Sequence, residues 1–145
     1  MPYSRRPALP YADRRIEWWF AIVTFGFGLW IARPEESMDS LAFAALRRVL
    51  GEEGWAMVFA ITGTLHCAAL GINGRRWWTP LVRTGMVVIN AFVYVSFGYG
   101  IYRIDPASTG VYTYCAAMGL AANICLWGAV KDSHHAIGVK FGAAQ

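Results

Sequence analysis

Four stretches of this chain approach the roughly 20 consecutive apolar residues that a helix needs to cross a bilayer. They run from about Glu17 to Ala32, Trp55 to Ile72, Leu81 to Tyr102 and Gly110 to Val130. Hydrocarbon offers no water to backbone N–H and C=O groups, so each stretch must satisfy its own, and a helix does that within one segment. The 145 residues leave room for a single domain. Charged residues make up 15% of the chain, against about a quarter in a soluble domain. The net charge of +4 does not point to nucleic acid, because the arginines flank apolar stretches instead of forming one basic face. Cys67, Cys115 and Cys125 all lie within apolar stretches. Their odd number and the absence of a CxxC spacing argue against a disulfide framework or a zinc site.

Topology follows from the flanks. Arg5, Arg6, Arg14, Arg15, Arg75, Arg76, Arg83, Lys131 and Lys140 fall on one side, nine of the 13 basic residues. Arg33, Arg47, Arg48 and Arg103 fall on the other. The positive-inside bias therefore places both termini in the cytoplasm. Although Arg5 to Arg15 could begin a signal peptide, Leu29-Trp30-Ile31-Ala32-Arg33-Pro34 lacks the small-x-small cleavage pattern, so the first segment reads as an uncleaved anchor. Tryptophan prefers the membrane interface, where its ring is apolar and its N–H finds water. Trp18, Trp19, Trp77, Trp78 and Trp127 fall at inner ends of the spans and Trp30 and Trp55 at outer ends, as interface anchors would. Asn73-Gly74 is a turn signal, Thr79-Pro80 supplies a cap and first-turn proline, and Asp105-Pro106 with Ser108, Thr109 and Gly110 makes a short outer turn.

The loop after the first span has its own pattern. Met38, Leu41, Ala42, Ala45, Leu46, Val49 and Leu50 recur along one helical face between Ser37 and Leu50. Ser37 can cap that helix and Gly51 can stop it. Such a helix lies in the outer interface with its apolar face down; the rival arrangement packs it as a lid over the mouth of the bundle. Spans one and three also resemble each other. Thr24-Phe25-Gly26-Phe27-Gly28-Leu29-Trp30 aligns with Ser96-Phe97-Gly98-Tyr99-Gly100-Ile101-Tyr102, and Pro34 then aligns with Pro106. The expected fold is therefore all-α and polytopic: four transmembrane helices as two parallel-repeat hairpins, plus one outer interfacial amphipathic helix.

Few residues could carry chemistry. Thr24, His66 and Asn123 fall at similar depths and Asn90 somewhat deeper, which predicts an intramembrane polar layer. Its functional reading is a hydrated or proton-sensitive path; its structural reading is interhelical hydrogen bonding, worth around 0.6 kcal/mol per bond. Gly63, Cys67 and Gly71, and Cys115, Gly119 and Asn123, form small-residue stripes. With Gly26, Gly28, Gly98 and Gly100, they predict close helix packing. Acidic residues gather outside the spans, at Glu35, Glu36, Asp39, Glu52, Glu53 and Asp105. His134-His135 has no third ligand, and no HExxH, GxSxG or P-loop pattern occurs. No metal, cofactor or enzymatic activity is expected.

The segments Gly28-Leu29-Trp30, Glu53-Gly54-Trp55, Gly63, Ala69-Leu70-Gly71-Ile72-Asn73-Gly74-Arg75, Thr79-Pro80-Leu81-Val82-Arg83, Thr109-Gly110-Val111-Tyr112 and Lys131-Asp132 resemble those of short four-span membrane proteins of tailed bacteriophages and prophages. The resemblance implies a viral origin and, with it, a bacterial inner (cytoplasmic) membrane as the location. With the small size, the small-residue stripes and the intramembrane polar groups, it suggests a self-associating, holin-like permeabiliser. An accessory protein, acting in superinfection exclusion or in a membrane or virion assembly, is the alternative. A small channel or carrier ranks third, because no charged pair marks a path. The expected partners are the lipid bilayer and either further copies of the chain or another membrane protein.

Overall fold

The computed structural model describes residues 14–34, 38–72 and 78–142, and among these no strand occurs. Helix α1 spans Arg15–Ile31. A 3-10 turn at Leu41–Phe43 leads into the short α2, Ala44–Val49. Helix α3 spans Glu52–Gly71 and α4 spans Thr79–Tyr102. A single turn, α5 (Thr109–Val111), passes through a π-helical stretch, Tyr112–Ala117, into α6, Met118–Gly142. Among the described residues, three helical runs are long and apolar enough to cross a membrane: Glu52–Gly71, Thr79–Tyr102 and Thr109–His134. The fourth long helix, α1, has 17 residues.

The long helices pack as two pairs. α1 lies along α3, α4 lies along α6, α3 against α4 joins the pairs, and α1 also touches α6. Glycines set how closely they approach. A Cβ on Gly63 would stand 2.6 Å from Phe25 Cα, and one on Gly28 would stand 2.8 Å from Ala56 O, so α1 and α3 meet nearly backbone to backbone. Gly98 abuts the Cys115 thiol, and Gly100 receives the side chain of Leu46. Around Gly26, Gly71 and Gly119 a Cβ would meet nothing within 4 Å, so these three contribute no close approach inside the bundle. Cys67 is half-buried on α3 and Cys125 is buried on α6.

The two ends of the bundle differ in chemistry. Where α3 begins, aromatic rings fill the interior around Phe97. Its centroid lies 5.0 Å from that of Tyr114, 5.3 Å from Phe59, 5.4 Å from Trp55 and 5.7 Å from both Phe27 and Phe43. Edge-to-face contacts dominate, as ring quadrupoles prefer. The opposite end, where α1 begins, carries charge.

Several boundaries differ from the sequence reading, each for a local reason. The outer helix does not run unbroken to Leu50. Phe43 is drawn against Phe97, Leu46 packs on Gly100, and Met38 and Leu46 are buried while Leu41 and Val49 are exposed. The apolar face is thus shared between the bundle end and the surroundings, and part of the segment covers the bundle as a lid would. Ser37 lies outside the described residues. Trp55 is buried, not an interface anchor: its indole N–H donates to Leu46 O at 2.9 Å, and its ring joins the aromatic cluster. Trp19, Trp30 and Trp127 are exposed, Trp18 and Trp78 are half-buried, and Trp77 lies outside the described residues. The cap of α4 is Trp78, so Thr79 and Pro80 open the helix itself. The last long helix does not stop with the apolar stretch at Val130, because α6 continues through Lys131 to Gly142.

Gly63→Val is expected to destabilise the bundle by about 1–3 kcal/mol, the usual cost of overpacking a tight contact. Gly71→Ala, in open space, is expected to be neutral or slightly favourable, since alanine is the better helix former. Thermal unfolding of both variants in the same detergent checks the contrast.

Candidate functional site

The charged end is built by one side chain from each of three helices. Glu17 sits in the first turn of α1, Arg83 near the start of α4, and Asp132 on α6. Arg83 is 1% exposed and Glu17 3%. The guanidinium meets the Glu17 carboxylate as a fork: Nη2 lies 2.6 Å from Oε1 and Nε 3.0 Å from Oε2. The remaining nitrogen, Nη1, donates to Asp132 Oδ2 at 2.8 Å. Arg14 stands 3.7 Å from the same Asp132 oxygen at the rim. Gly128 of α6 borders the Glu17 carboxylate, where a Cβ would make ordinary contact with Oε1 at 3.5 Å. One residue further along α4 and α6, the Thr84 and Ser133 hydroxyls are 3.1 Å apart.

Two arginines and two carboxylates balance in sign. Burying such groups costs several kcal/mol per ion, and only a geometry that satisfies nearly every donor offsets that cost. Arginine suits the position because its planar donors match a carboxylate in two places at once.

About 10 Å along α4 from Arg83, counting seven residues at 1.5 Å each, lies a second polar group. Asn90 Nδ2 and His66 Nδ1 are 3.0 Å apart, and both residues are fully buried. An amide nitrogen can only donate, so Nδ1 accepts and a neutral imidazole carries its hydrogen on Nε2. That Nε2 has no hydrogen-bond partner, nor does Asn90 Oδ1. Tyr94, a turn further along α4, also ends in an unpaired hydroxyl, although its side chain points toward Thr24. Thr24 itself donates to Phe20 O at 2.7 Å. The Phe20 ring lies between the two levels, 6.2 Å from the His66 ring and 5.7 Å from that of Tyr94.

The structure therefore pairs His66 with Asn90 and buries Thr24 beside Tyr94 at a neighbouring level of the same interior. It does not bring Asn123 to them. That residue is exposed on α6, with Nδ2 donating to Gly119 O of its own helix at 2.9 Å. Depth along the helix was readable, but rotation about it was not.

The charged trio is what sequence reasoning missed. In the sequence Arg83 reads as a topology signal and Glu17 as a span boundary, and Asp132 lies beyond the fourth apolar stretch. The available signal is opposite charges within two residues of the same-side ends of three apolar stretches: Glu17 at one, Arg83 just inside another and Asp132 just beyond the third. Among the described residues, no three His, Cys, Asp or Glu side chains come together as a metal site would require. His134 is exposed on α6. Compared with protein-family models, with curated proteins and with solved structures, the chain finds no match.

Arg83→Ala leaves two carboxylates facing a buried space without their cation, and is expected to cost about 3–5 kcal/mol. Replacing the whole trio, Glu17→Gln with Arg83→Met and Asp132→Asn, is expected to recover most of that loss. Denaturant unfolding in mixed micelles distinguishes the two: equal stability of Arg83→Ala and wild type would mean the trio holds nothing together.

Proposed function

We propose that the chain is a four-span protein of a bacterial inner membrane and forms a closed channel or carrier for protons or a small cation. Among the described residues, three helical runs meet the length and apolarity of a span. α1 is taken as the fourth because its 17 residues extend about 26 Å, against roughly 30 Å of hydrocarbon. Trp19 and Trp30, 52% and 56% exposed near its two ends, suit the two interfaces, and a short span is accommodated by local thinning. The basic flanks favour cytoplasmic termini, which puts the charged end on the inner side.

The observation that carries the reading is the run of buried polar groups between two closures. His66 Nε2, Asn90 Oδ1 and Tyr94 OH are unpaired in the middle of the bundle. Each such group costs about 1–3 kcal/mol, and ionisable or polar groups retained inside membranes mark conduction and relay routes. Below them stands the Arg83 trio, and above them the Phe97 cluster. In this arrangement the trio is the inner gate and the rings are the outer one. A channel ranked low on sequence grounds for want of a charged pair; Arg83 with Glu17 and Asp132 removes that objection.

A second reading, permeabilisation of the membrane by self-association, is favoured by the exposed amide of Asn123 and by the phage-like motifs. Induced expression with a membrane-potential readout separates it from the first, because a collapse of potential that survives His66→Ala belongs to permeabilisation.

For the first reading, the purified protein is reconstituted in liposomes containing a pH-sensitive dye. Arg83→Lys keeps the charge but loses the forked contact, so it is expected to raise proton flux above wild type. His66→Ala added to it is expected to bring flux back down. Flux equal to that of empty liposomes in both wild type and Arg83→Lys, with helicity and monodispersity retained, overturns the reading.

A further inference from the structure

Asn123 lies near the middle of the apolar run Thr109–His134, roughly 21 Å from one end and 16 Å from the other. It is exposed there, where hydrocarbon would surround it. Its carbonyl oxygen and second amide hydrogen are not used by the one bond it makes, Nδ2 to Gly119 O. An amide left facing lipid is unfavourable, and in membranes such groups find partners on other helices.

The surroundings are shaped for a neighbour. Beside Asn123 a shallow groove of about 140 Å³ lies between α4 and α6, bordered by Val87, Val88, Ala91, Ala122 and Leu126. One turn before it, Gly119 has no neighbour within 4 Å of a Cβ, so a second helix can approach the backbone. None of these residues belongs to the charged trio or to the His66 level.

We infer that this face of α6 is the interface of a parallel homodimer, with Asn123 of one copy paired to Asn123 of the other. The argument for a second copy is one of depth and complementarity. Two chains inserted by the same flanking charges have the same orientation, so their Asn123 side chains share one level. A two-fold axis along the membrane normal then makes the contact isologous. An amide is both donor and acceptor, so each Nδ2–H can meet the other's Oδ1 in a reciprocal pair. An unrelated partner would need a complementary group at that same level by coincidence. The inference rests on α6 crossing the bilayer and not on conduction through the bundle interior.

The test uses the full chain, labelled at its termini with donor and acceptor dyes and diluted in liposomes over a series of protein-to-lipid ratios. Wild type is expected to show energy transfer that falls with dilution along a dimer isotherm. Asn123→Val is expected to weaken association about threefold to tenfold, and Asn123→Gln to restore part of it. Leu65→Val, exposed on α3, is expected to leave the isotherm unchanged. Wild type that stays monomeric at every ratio overturns the inference. So does a dimer indifferent to Asn123→Val, which would place the contact elsewhere. Because His66 and Arg83 are intact in all these variants, their proton flux reads out the conduction proposal separately.

Discussion

The forked contact between Arg83 and Glu17, shared with Asp132, sets the register of three helices at once. A guanidinium has five donors in a fixed plane, and the two carboxylates fix where that plane must lie. A sliding of α1, α4 or α6 by one residue would move its charge by about 1.5 Å along the axis and rotate it by about 100°, separating the fork. Apolar packing alone does not discriminate so sharply, since hydrocarbon outside a membrane bundle is as apolar as its core. α3 supplies no charge to the trio. It is held by different means: backbone contact with α1 through Gly28 and Gly63, and the His66–Asn90 bond to α4. Ionic geometry thus governs one end of the molecule and close approach the rest.

Much of this could be read from the amino acids, and the limits have a common cause. Lengths of apolar sequence locate α3, α4 and α6 because the membrane-spanning requirement is one of length. Depth is legible in the same way, by counting residues, and the count puts His66 and Asn90, which bond to each other across α3 and α4, within one helical turn in depth. Rotation is harder in a helix that is apolar all round. Asn123 shares the depth of the others and faces away, while Trp55 stands at a span end and faces in. Charges near span ends carry two meanings, topology and pairing, and only the arrangement of helices decides between them for Arg83, Glu17 and Asp132. The π-helical stretch leaves no composition signature at all, since YTYCAA contains neither glycine nor proline.

The segment between α1 and α3 illustrates how local pattern and tertiary packing compete. Its residues repeat as an amphipathic helix should, yet the indole of Trp55 takes the Leu46 carbonyl and Gly100 opens a socket for the Leu46 side chain. Arg47 and Asp39 are joined at 2.6 Å on the exposed side. Such a surface pair contributes little by itself; the buried leucine and tryptophan hold the segment to the aromatic end.

The π-helical turn at Tyr112–Ala117 has a consequence for how the chain can vary in length. Such a turn holds one more residue than an α-helical turn. A single deletion within it could close as ordinary α-helix, leaving the downstream register of Asn123, Gly128 and Asp132 unrotated. The same deletion placed later in α6 would swing every following side chain by about 100° and carry Asp132 away from Arg83. The wide turn therefore stores one residue of slack in a span that otherwise tolerates none.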